Sequence, residues 1–161
     1  MSRYLLACCA LLLVGAGCSS GDTTDMSDLS HSPVLIDSYT DEGVSLEVWS
    51  PEYVYEYEDF EFTLKLKNIE DVDHILDSVD IGLGYLSGVQ IQGSNPAYYD
   101  EWLVGDNTYT HTFQLDIPAG ETVEVDFQAM ALDAGEYSGA LDVCIDTGYE
   151  CLFRNISIVV K

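Results

Sequence analysis

The strongest constraint on the fold is an alternation of apolar and polar residues with a period of two, which starts at Val44 and continues through most of the chain. This period is typical of half-buried β-strands, and no segment of helical length shows the 3.6-residue period of an amphipathic helix. Seven segments carry the pattern, separated by turn signals: residues 44–49, 60–67, 79–85, 109–117, 123–131, 137–146 and 150–160. With an eighth candidate at residues 89–92, the pattern predicts an all-β, antiparallel β-sandwich of about seven to eight strands.

One short motif refines this prediction. Asp133, Gly135 and Tyr137 resemble the immunoglobulin tyrosine corner, in which a tyrosine opens strand F and its hydroxyl bonds back to the backbone. Two residues later an antibody domain has a cysteine, whereas this chain has Gly139. The resemblance implies an Ig-like β-sandwich that lacks the core disulfide of antibody domains.

Three longer segments, residues 60–71, 116–129 and 135–146, read FEFTLKLKNIED, DIPAGETVEVDFQA and GEYSGALDVCID. They resemble CARDB-type domains, which are cell-adhesion-related Ig-like modules of bacterial surface proteins. The resemblance implies a role in extracellular spacing or adhesion. It implies no catalytic residues and no cofactor.

The N-terminus has the organisation of a secretory signal. Arg3 supplies a positive charge before an apolar run at residues 5–14. A transmembrane helix needs about 20 apolar residues, so this run is too short to span a bilayer. A positive start, a brief apolar core and small residues before a cleavage site predict a signal peptide at residues 1–17.

The end of this signal, residues 14–18 (VGAGC), resembles the bacterial lipobox, although Gly15 stands where that motif prefers leucine. The resemblance implies that Cys18 is diacylated and becomes the mature N-terminus. Ser19 and Ser20 follow it, which implies the outer membrane in a cell with two membranes. The alternative is an ordinary signal peptide cut nearby, which would leave Cys18 as a thiol.

The segment after Cys18 differs from the rest of the chain in composition. Residues 18–33 are rich in Ser, Thr and Asp and contain few large apolar residues. Such a segment buries too little surface to offset its chain entropy, so we predict a flexible tether. The β-sandwich is expected at residues 34–161.

The number and spacing of the cysteines predict a disulfide once the chain lies outside the cytosol. Cys8 and Cys9 would leave with the signal peptide, so Cys144 and Cys151 are the two that remain after Cys18. Their spacing suits opposite strands of a hairpin with its tip at residues 146–149, which predicts a disulfide. A catalytic thiol is disfavoured because neither cysteine belongs to a CxxC motif or has a histidine nearby in the sequence.

The chain is strongly acidic, with 29 Asp and Glu against 5 Lys and Arg and a formal net charge of −24. Nucleic acids and anionic lipids are bound by Lys and Arg side chains, so we exclude both as partners. Solubility or adaptation to a saline medium explains the acidity, because salt screens the self-repulsion. A specific acidic ligand site is the alternative.

Motifs for catalysis or cofactor binding are absent from the sequence. It contains no GxSxG, no HExxH and no GxxxxGK[ST]. A blue-copper site needs two His and one Cys, with a weak axial Met, but no His or Met follows Cys144. We therefore predict a protein that is not an enzyme and has no cofactor and no metal site.

The histidines and the densest acidic segment give weaker signals. His31 lies in the predicted tether, His74 in an acidic loop, and His111 on a strand at the edge of the core. Residues 70–80 contain five carboxylates, but their spacing does not match an EF-hand. A solvated acidic loop is favoured over a calcium site.

An aromatic connection at residues 95–107 is the strongest candidate for a binding surface. Tyr98, Tyr99 and Trp102 lie in it beside two acidic residues. Aromatic rings with polar groups suit contacts with proteins or glycans. The alternative is that Trp102 and one tyrosine close the open end of the sandwich.

These observations together predict a lipid-anchored, non-catalytic protein of the bacterial cell envelope that serves as an Ig-like binding, adhesion or spacer module. It would contact the membrane through its N-terminal lipid and bind an unknown protein or glycan. An accessory subunit that docks a protein within a larger envelope enzyme or transport complex is the alternative.

Overall fold

The structure, a computed structural model, describes residues 32–41, 43–105, 107–146 and 150–161. These residues form eleven strands and one short helix. In chain order the elements are β1 Val34–Asp41, β2 Val44–Ser50, β3 Tyr53–Val54, β4 Asp59–Asn68, β5 His74–Gly82, α1 Leu83–Leu86, β6 Val89–Asn95, β7 Asp100–Val104, β8 Thr108–Ile117, β9 Thr122–Ala131, β10 Gly135–Ile145 and β11 Glu150–Val160.

The strands form two sheets. The five-stranded sheet has the order β1-β2-β4-β9-β6, and the six-stranded sheet has the order β3-β11-β10-β5-β8-β7. Neighbours are antiparallel except β3 and β11, which are parallel. The predicted all-β sandwich is therefore confirmed.

The strand count exceeds the predicted seven to eight because three strands lack a clean alternation. β1 contains a register shift between Leu35 and Asp37. β3 has only two residues, and nearly every residue of β7 is exposed. The eighth candidate is present as β6, which extends further than expected, to Asn95.

The core lies between the sheets and is filled by the inward residues of the alternating pattern. Phe62 of β4 and Phe127 of β9 are directly paired and stack with their ring centroids 4.8 Å apart. The ring of Tyr85 meets Phe62 edge-on at 6.1 Å. Such arrangements match the quadrupoles of the rings and add to the hydrophobic stabilisation from burial.

The prediction that residues 79–85 form one strand is wrong at its end. β5 stops at Gly82, and Leu83–Leu86 form a single helical turn that carries Tyr85 into the core. This turn lies against β10, where a Cβ on Gly84 would come within 2.4 Å of the Ser138 carbonyl oxygen. Leu83 and Tyr85 alternate as a strand would, so the local pattern does not reveal the turn.

The tyrosine corner is present. The Tyr137 hydroxyl donates a hydrogen bond to the Asp133 carbonyl oxygen at 2.9 Å. Gly139 stands where an antibody domain has cysteine because helix α1 occupies the adjacent space. A Cβ on Gly139 would lie 2.8 Å from the Tyr85 amide nitrogen and 2.9 Å from the Gly82 carbonyl oxygen.

The predicted disulfide joins Cys144 and Cys151, which are directly paired on β10 and β11 with their Cα atoms 4.0 Å apart. The expected hairpin tip lies outside the described residues from 147 to 149. The signal peptide at 1–17, Cys18, His31 and most of the tether at 18–33 also lie outside them. Within the described part of the chain, no helix is long and apolar enough to cross a bilayer.

We expect Gly139→Ala to lower the free energy of unfolding by about 2 kcal/mol or more, because the new methyl group must displace backbone atoms of α1 or β5. Gly105→Ala is the matched control, since a Cβ at Gly105 meets nothing within 4 Å. Urea denaturation of both variants measures the difference. Equal stability of the two variants would contradict the close approach of α1 and β10.

Replacing both Cys144 and Cys151 with alanine should lower the free energy of unfolding by about 2 kcal/mol, since the closed loop is short. Reduction of the unmodified protein should cause a similar loss and leave the double variant unchanged. Thermal unfolding with and without reductant provides the comparison. A reductant that leaves the unmodified protein as stable as before would refute the contribution of this disulfide.

Candidate functional site

The predicted aromatic connection is only partly a loop, because β7, Asp100–Val104, forms the free edge of the six-stranded sheet. This corrects the expectation that Tyr98, Tyr99 and Trp102 share one long connection. Tyr98 and Tyr99 precede the strand, whereas Trp102 is its central residue. The three rings consequently have different surroundings.

Tyr98 packs into the sandwich. Its ring meets His111 edge-on at 4.9 Å and Phe113 at 6.3 Å. Burial, with a hydrogen bond to Glu101, raises the pKa of Tyr98 to about 12. The alternative that Trp102 and one tyrosine close the sandwich is therefore correct for the tyrosine, Tyr98, and wrong for Trp102. Tyr99 and Trp102 are exposed instead, by 65% and 46%, and their role as partner contacts stays a prediction.

Trp102 belongs to a row of side chains that crosses the outer face of the six-stranded sheet. Direct strand pairing places Trp102 beside Thr110, Thr110 beside Asp80, Asp80 beside Asp142, and Asp142 beside Phe153. Directly paired residues project from the same face of a sheet. We call this set the Trp102–Phe153 row. At about 4.8 Å per strand it spans about 19 Å.

The sequence analysis did not identify Phe153 as a functional candidate. It is 65% exposed and lies at the opposite end of the row from Trp102. No local signal marks it, because an exposed aromatic residue on a strand is common, and its relation to Trp102 depends on the pairing of five strands. The row therefore carries an exposed aromatic ring at each end and two carboxylates near its middle.

A second row lies beside the first and stiffens the face. It contains the disulfide partners Cys151 and Cys144, followed by Ser78, Thr112 and Asp100. Both cysteines therefore lie on the same face as Trp102 and Phe153. The outer face combines exposed aromatic rings, small hydroxyl side chains, three Asp carboxylates and a covalent cross-link.

None of the described Lys and Arg residues belongs to either row. Lys65 pairs with Glu124 at 2.8 Å and belongs, with Lys67, to β4 of the other sheet. The Arg154 guanidinium stacks on the Tyr39 ring at 3.3 Å, and the Lys161 ammonium lies 3.3 Å from the centroid of the Tyr53 ring. Tyr53 is paired with Val159 of β11, so Lys161 lies near that end of the six-stranded sheet, whereas the two rows themselves carry acidic and no basic side chains.

A cavity of about 370 Å³ opens on the inner side of β7, between this strand and β6. His111 of β8 lines it and is only 1% exposed. The His111 Nδ1–H donates to the Val79 carbonyl oxygen at 3.3 Å, and Nε2 lies 3.9 Å from a Glu101 carboxylate oxygen. Burial lowers the pKa of His111 and favours the neutral ring. The residue predicted at the core edge thus lies inside the sandwich.

His74 is not in a loop, as the sequence suggested, but is the buried first residue of β5. Its Nδ1 lies 2.9 Å from an Asp146 carboxylate oxygen, and its Nε2 lies 3.4 Å from Glu70. The second Asp146 oxygen accepts a hydrogen bond from the Ile75 amide. His74 therefore fastens the end of β10 to β5. The hydrogen bond to Asp146 raises the pKa of His74, against the opposing effect of burial.

The described residues contain no group of three His, Cys, Asp or Glu side chains that could hold a metal ion. Cys144 and Cys151 are joined to each other, so neither sulfur is a free thiolate. Among the acidic residues at 70–80, Glu70 pairs with His74, and Asp73 accepts a hydrogen bond from the Ala119 amide. This segment is engaged with neighbouring protein groups.

The two described histidines should titrate on opposite sides of the ordinary histidine pKa of 6.5, with the pKa of His74 above it and that of His111 below it. The stabilisation from His74 is complete below the unfolded pKa and is lost as the pH rises through its folded pKa. The contribution of His111 has the opposite slope, because the unfolded state binds the proton more readily.

NMR titration of the two ring signals tests this assignment. Asp146→Asn should return the pKa of His74 towards about 6.5, because Asp146 is hydrogen-bonded to the His74 ring. It should leave the pKa of His111 unchanged, because Asp146 does not contact that ring. Two rings with the same pKa in the unmodified protein would contradict the described environments.

No protein-family model and no curated protein matches this chain. Among solved structures, a cohesin module of a family 33 glycoside hydrolase from Clostridium perfringens is 10% identical, with a TM-score of 0.42, over 74% of this chain and 97% of that one. A type I cohesin from Pseudobacteroides cellulosolvens is 9% identical, with a TM-score of 0.40, over 68% and 86% of the two chains.

The cupredoxin domain of amoB from Nitrosocaldus yellowstonii is 18% identical, with a TM-score of 0.40, over 64% of this chain. The match spans 56% of the length of that cupredoxin chain. These similarities concern β-sandwich domains. They assign no activity, ligand or partner to this chain.

Proposed function

We propose that this protein is a non-catalytic, lipid-anchored module of the bacterial cell envelope that binds a protein partner through the outer face of its six-stranded sheet. The observation that carries the proposal is the Trp102–Phe153 row. It exposes two large aromatic side chains on a regular sheet, and such residues supply much of the binding energy in protein interfaces.

Charge indicates the kind of partner. Asp80, Asp142 and Asp100 lie between or beside the aromatic rings, and no described Lys or Arg belongs to the two rows. A partner surface with Lys or Arg side chains around apolar contacts would complement this face and associate faster at low salt. A second copy of this chain would be repelled, since its formal net charge is −24.

Attachment to the membrane rests on the lipobox-like sequence that ends at Cys18. Two acyl chains give stable anchoring, whereas one gives only marginal binding. The segment at residues 18–33 would then act as a tether with a reach of about 20 Å. Such a tether lets a rigid binding face meet partners beside the membrane.

The accessory-subunit alternative draws on the edge position of β7. An edge strand presents unpaired backbone groups to which a partner strand can add, and such pairing suits a permanent complex. The stoichiometry of the complex separates the two candidates. A fixed ratio to one envelope enzyme or transporter favours the subunit, and a transient partner favours the adhesion or spacer module.

Site-specific photocrosslinking in native envelopes tests the proposal. A photoreactive aromatic residue replaces Trp102 in one variant and Phe153 in another. Tyr57, which is 67% exposed in the turn before β4, is the matched control. We expect the same protein adduct from both test positions, none from Tyr57, and loss of the adduct when Asp142→Lys reverses a charge between the test positions.

Equal crosslinking at Tyr57, or an adduct that contains only glycan, would contradict a protein-binding face on this sheet. Intact-mass analysis of the same membrane fraction tests the anchor. Two or more acyl chains on Cys18 are expected, and an unmodified Cys18 thiol would rule the anchor out.

A further inference from the structure

The cavity between β6 and β7 has an apolar wall and one polar end. These strands are the free edges of the two sheets on the same side of the sandwich, and α1 lies at one end of the opening. Five aliphatic side chains form most of the wall, namely Leu83, Leu86, Val89, Ile91 and Leu132, and Gln90 and Tyr109 also line the cavity. A volume of about 370 Å³ equals that of roughly twelve water molecules, so a ligand of moderate size fits.

At the polar end, two hydrogen-bond acceptors face each other: Nε2 of His111 and the carboxylate of Glu101. The Nδ1–H of His111 donates its hydrogen bond to the Val79 carbonyl oxygen, so the neutral ring has a free lone pair on Nε2. The Glu101 carboxylate is also an acceptor, and the 3.9 Å between its oxygen and Nε2 exceeds a hydrogen-bond distance. A donor placed at this end satisfies both groups.

The surroundings favour a positively charged donor. Tyr98 already directs its hydroxyl to Glu101, and this bond leaves further acceptor capacity on the carboxylate. No Lys or Arg side chain among the described residues lines the cavity. The net charge of −24 also draws small cations towards the protein.

We propose that this cavity binds a small amphipathic primary amine, with its ammonium group between His111 Nε2 and the Glu101 carboxylate and its apolar body against the aliphatic wall. An ammonium group has three N–H donors and can bond both acceptors at once. A neutral alcohol has one donor and carries no charge. A carboxylate ligand has no donor and is repelled by Glu101.

This inference is independent of the proposed protein-binding face. The cavity lies on the inner side of β7 and β8, whereas Trp102 and Thr110 lie on the outer side of the same strands. Failure of the amine to bind would leave the crosslinking result untouched, and the reverse also holds.

Calorimetric titration of the full-length chain with three matched probes tests the inference: phenethylamine, 2-phenylethanol and phenylacetate. We expect saturable binding of phenethylamine at one site, with affinity about tenfold or more above that of the alcohol, because a charge-assisted bond is lost in the alcohol. Phenylacetate should not bind. The amine should also shift the Nε2 nitrogen signal of His111 in NMR spectra.

Glu101→Gln keeps the size of the side chain and removes its charge, so phenethylamine should bind about tenfold or more weakly to this variant. Glu121→Gln is the control, because it removes the same charge from an exposed turn outside the cavity. Its affinity should equal that of the unmodified protein. Equal weakening in both variants, equal binding of amine and alcohol, or no binding up to about 1 mM amine would overturn the proposal.

Discussion

The packing of aromatic rings across the middle of the sandwich is the constraint on which the rest of the structure depends. Phe62 and Phe127 stack face to face, and the rings of Tyr85, His111 and Phe113 meet this pair edge-on. These contacts join the two sheets and helix α1, so they fix the positions of β4, β8, β9 and α1 relative to one another. They also explain why α1 must approach Gly139 of β10 closely, because only this approach places the Tyr85 ring in the aromatic cluster.

Strand β8 connects this core to both candidate sites. Its inward residue His111 touches Phe127 on one side and lines the cavity on the other, while its outward neighbour Thr110 lies beside Trp102. A strand held by a close-packed core is a rigid support, and rigid supports position binding groups more accurately than loops do. The two sites therefore occupy opposite faces of the same strands and share one scaffold without sharing side chains.

The sequence predicts the sandwich and the disulfide well because both depend on local patterns. Strands with one buried face alternate visibly, and Cys144 and Cys151 have the spacing of a hairpin. β7 could not be predicted in this way, because nearly all of its residues are exposed and its sequence therefore lacks the alternation of apolar and polar residues. The relation of Trp102 to Phe153 depends on the register of five strands, which distant contacts determine. Similarly, no local signal separates the packed Tyr98 from the exposed Tyr99. The lipid on Cys18 stays a prediction.

The central claim is that a rigid, aromatic-centred sandwich carries an open edge at β7, the strand that contributes a side chain to both candidate sites. Native-state hydrogen exchange tests it most directly, because it reports the free energy of opening for each amide. The amides of β9, which lies between two paired strands, should exchange only through global unfolding. Those of β7, Asp100–Val104, should exchange through local opening at a clearly lower free energy. Equal protection of β7 and β9, or local opening of β9, would contradict the account.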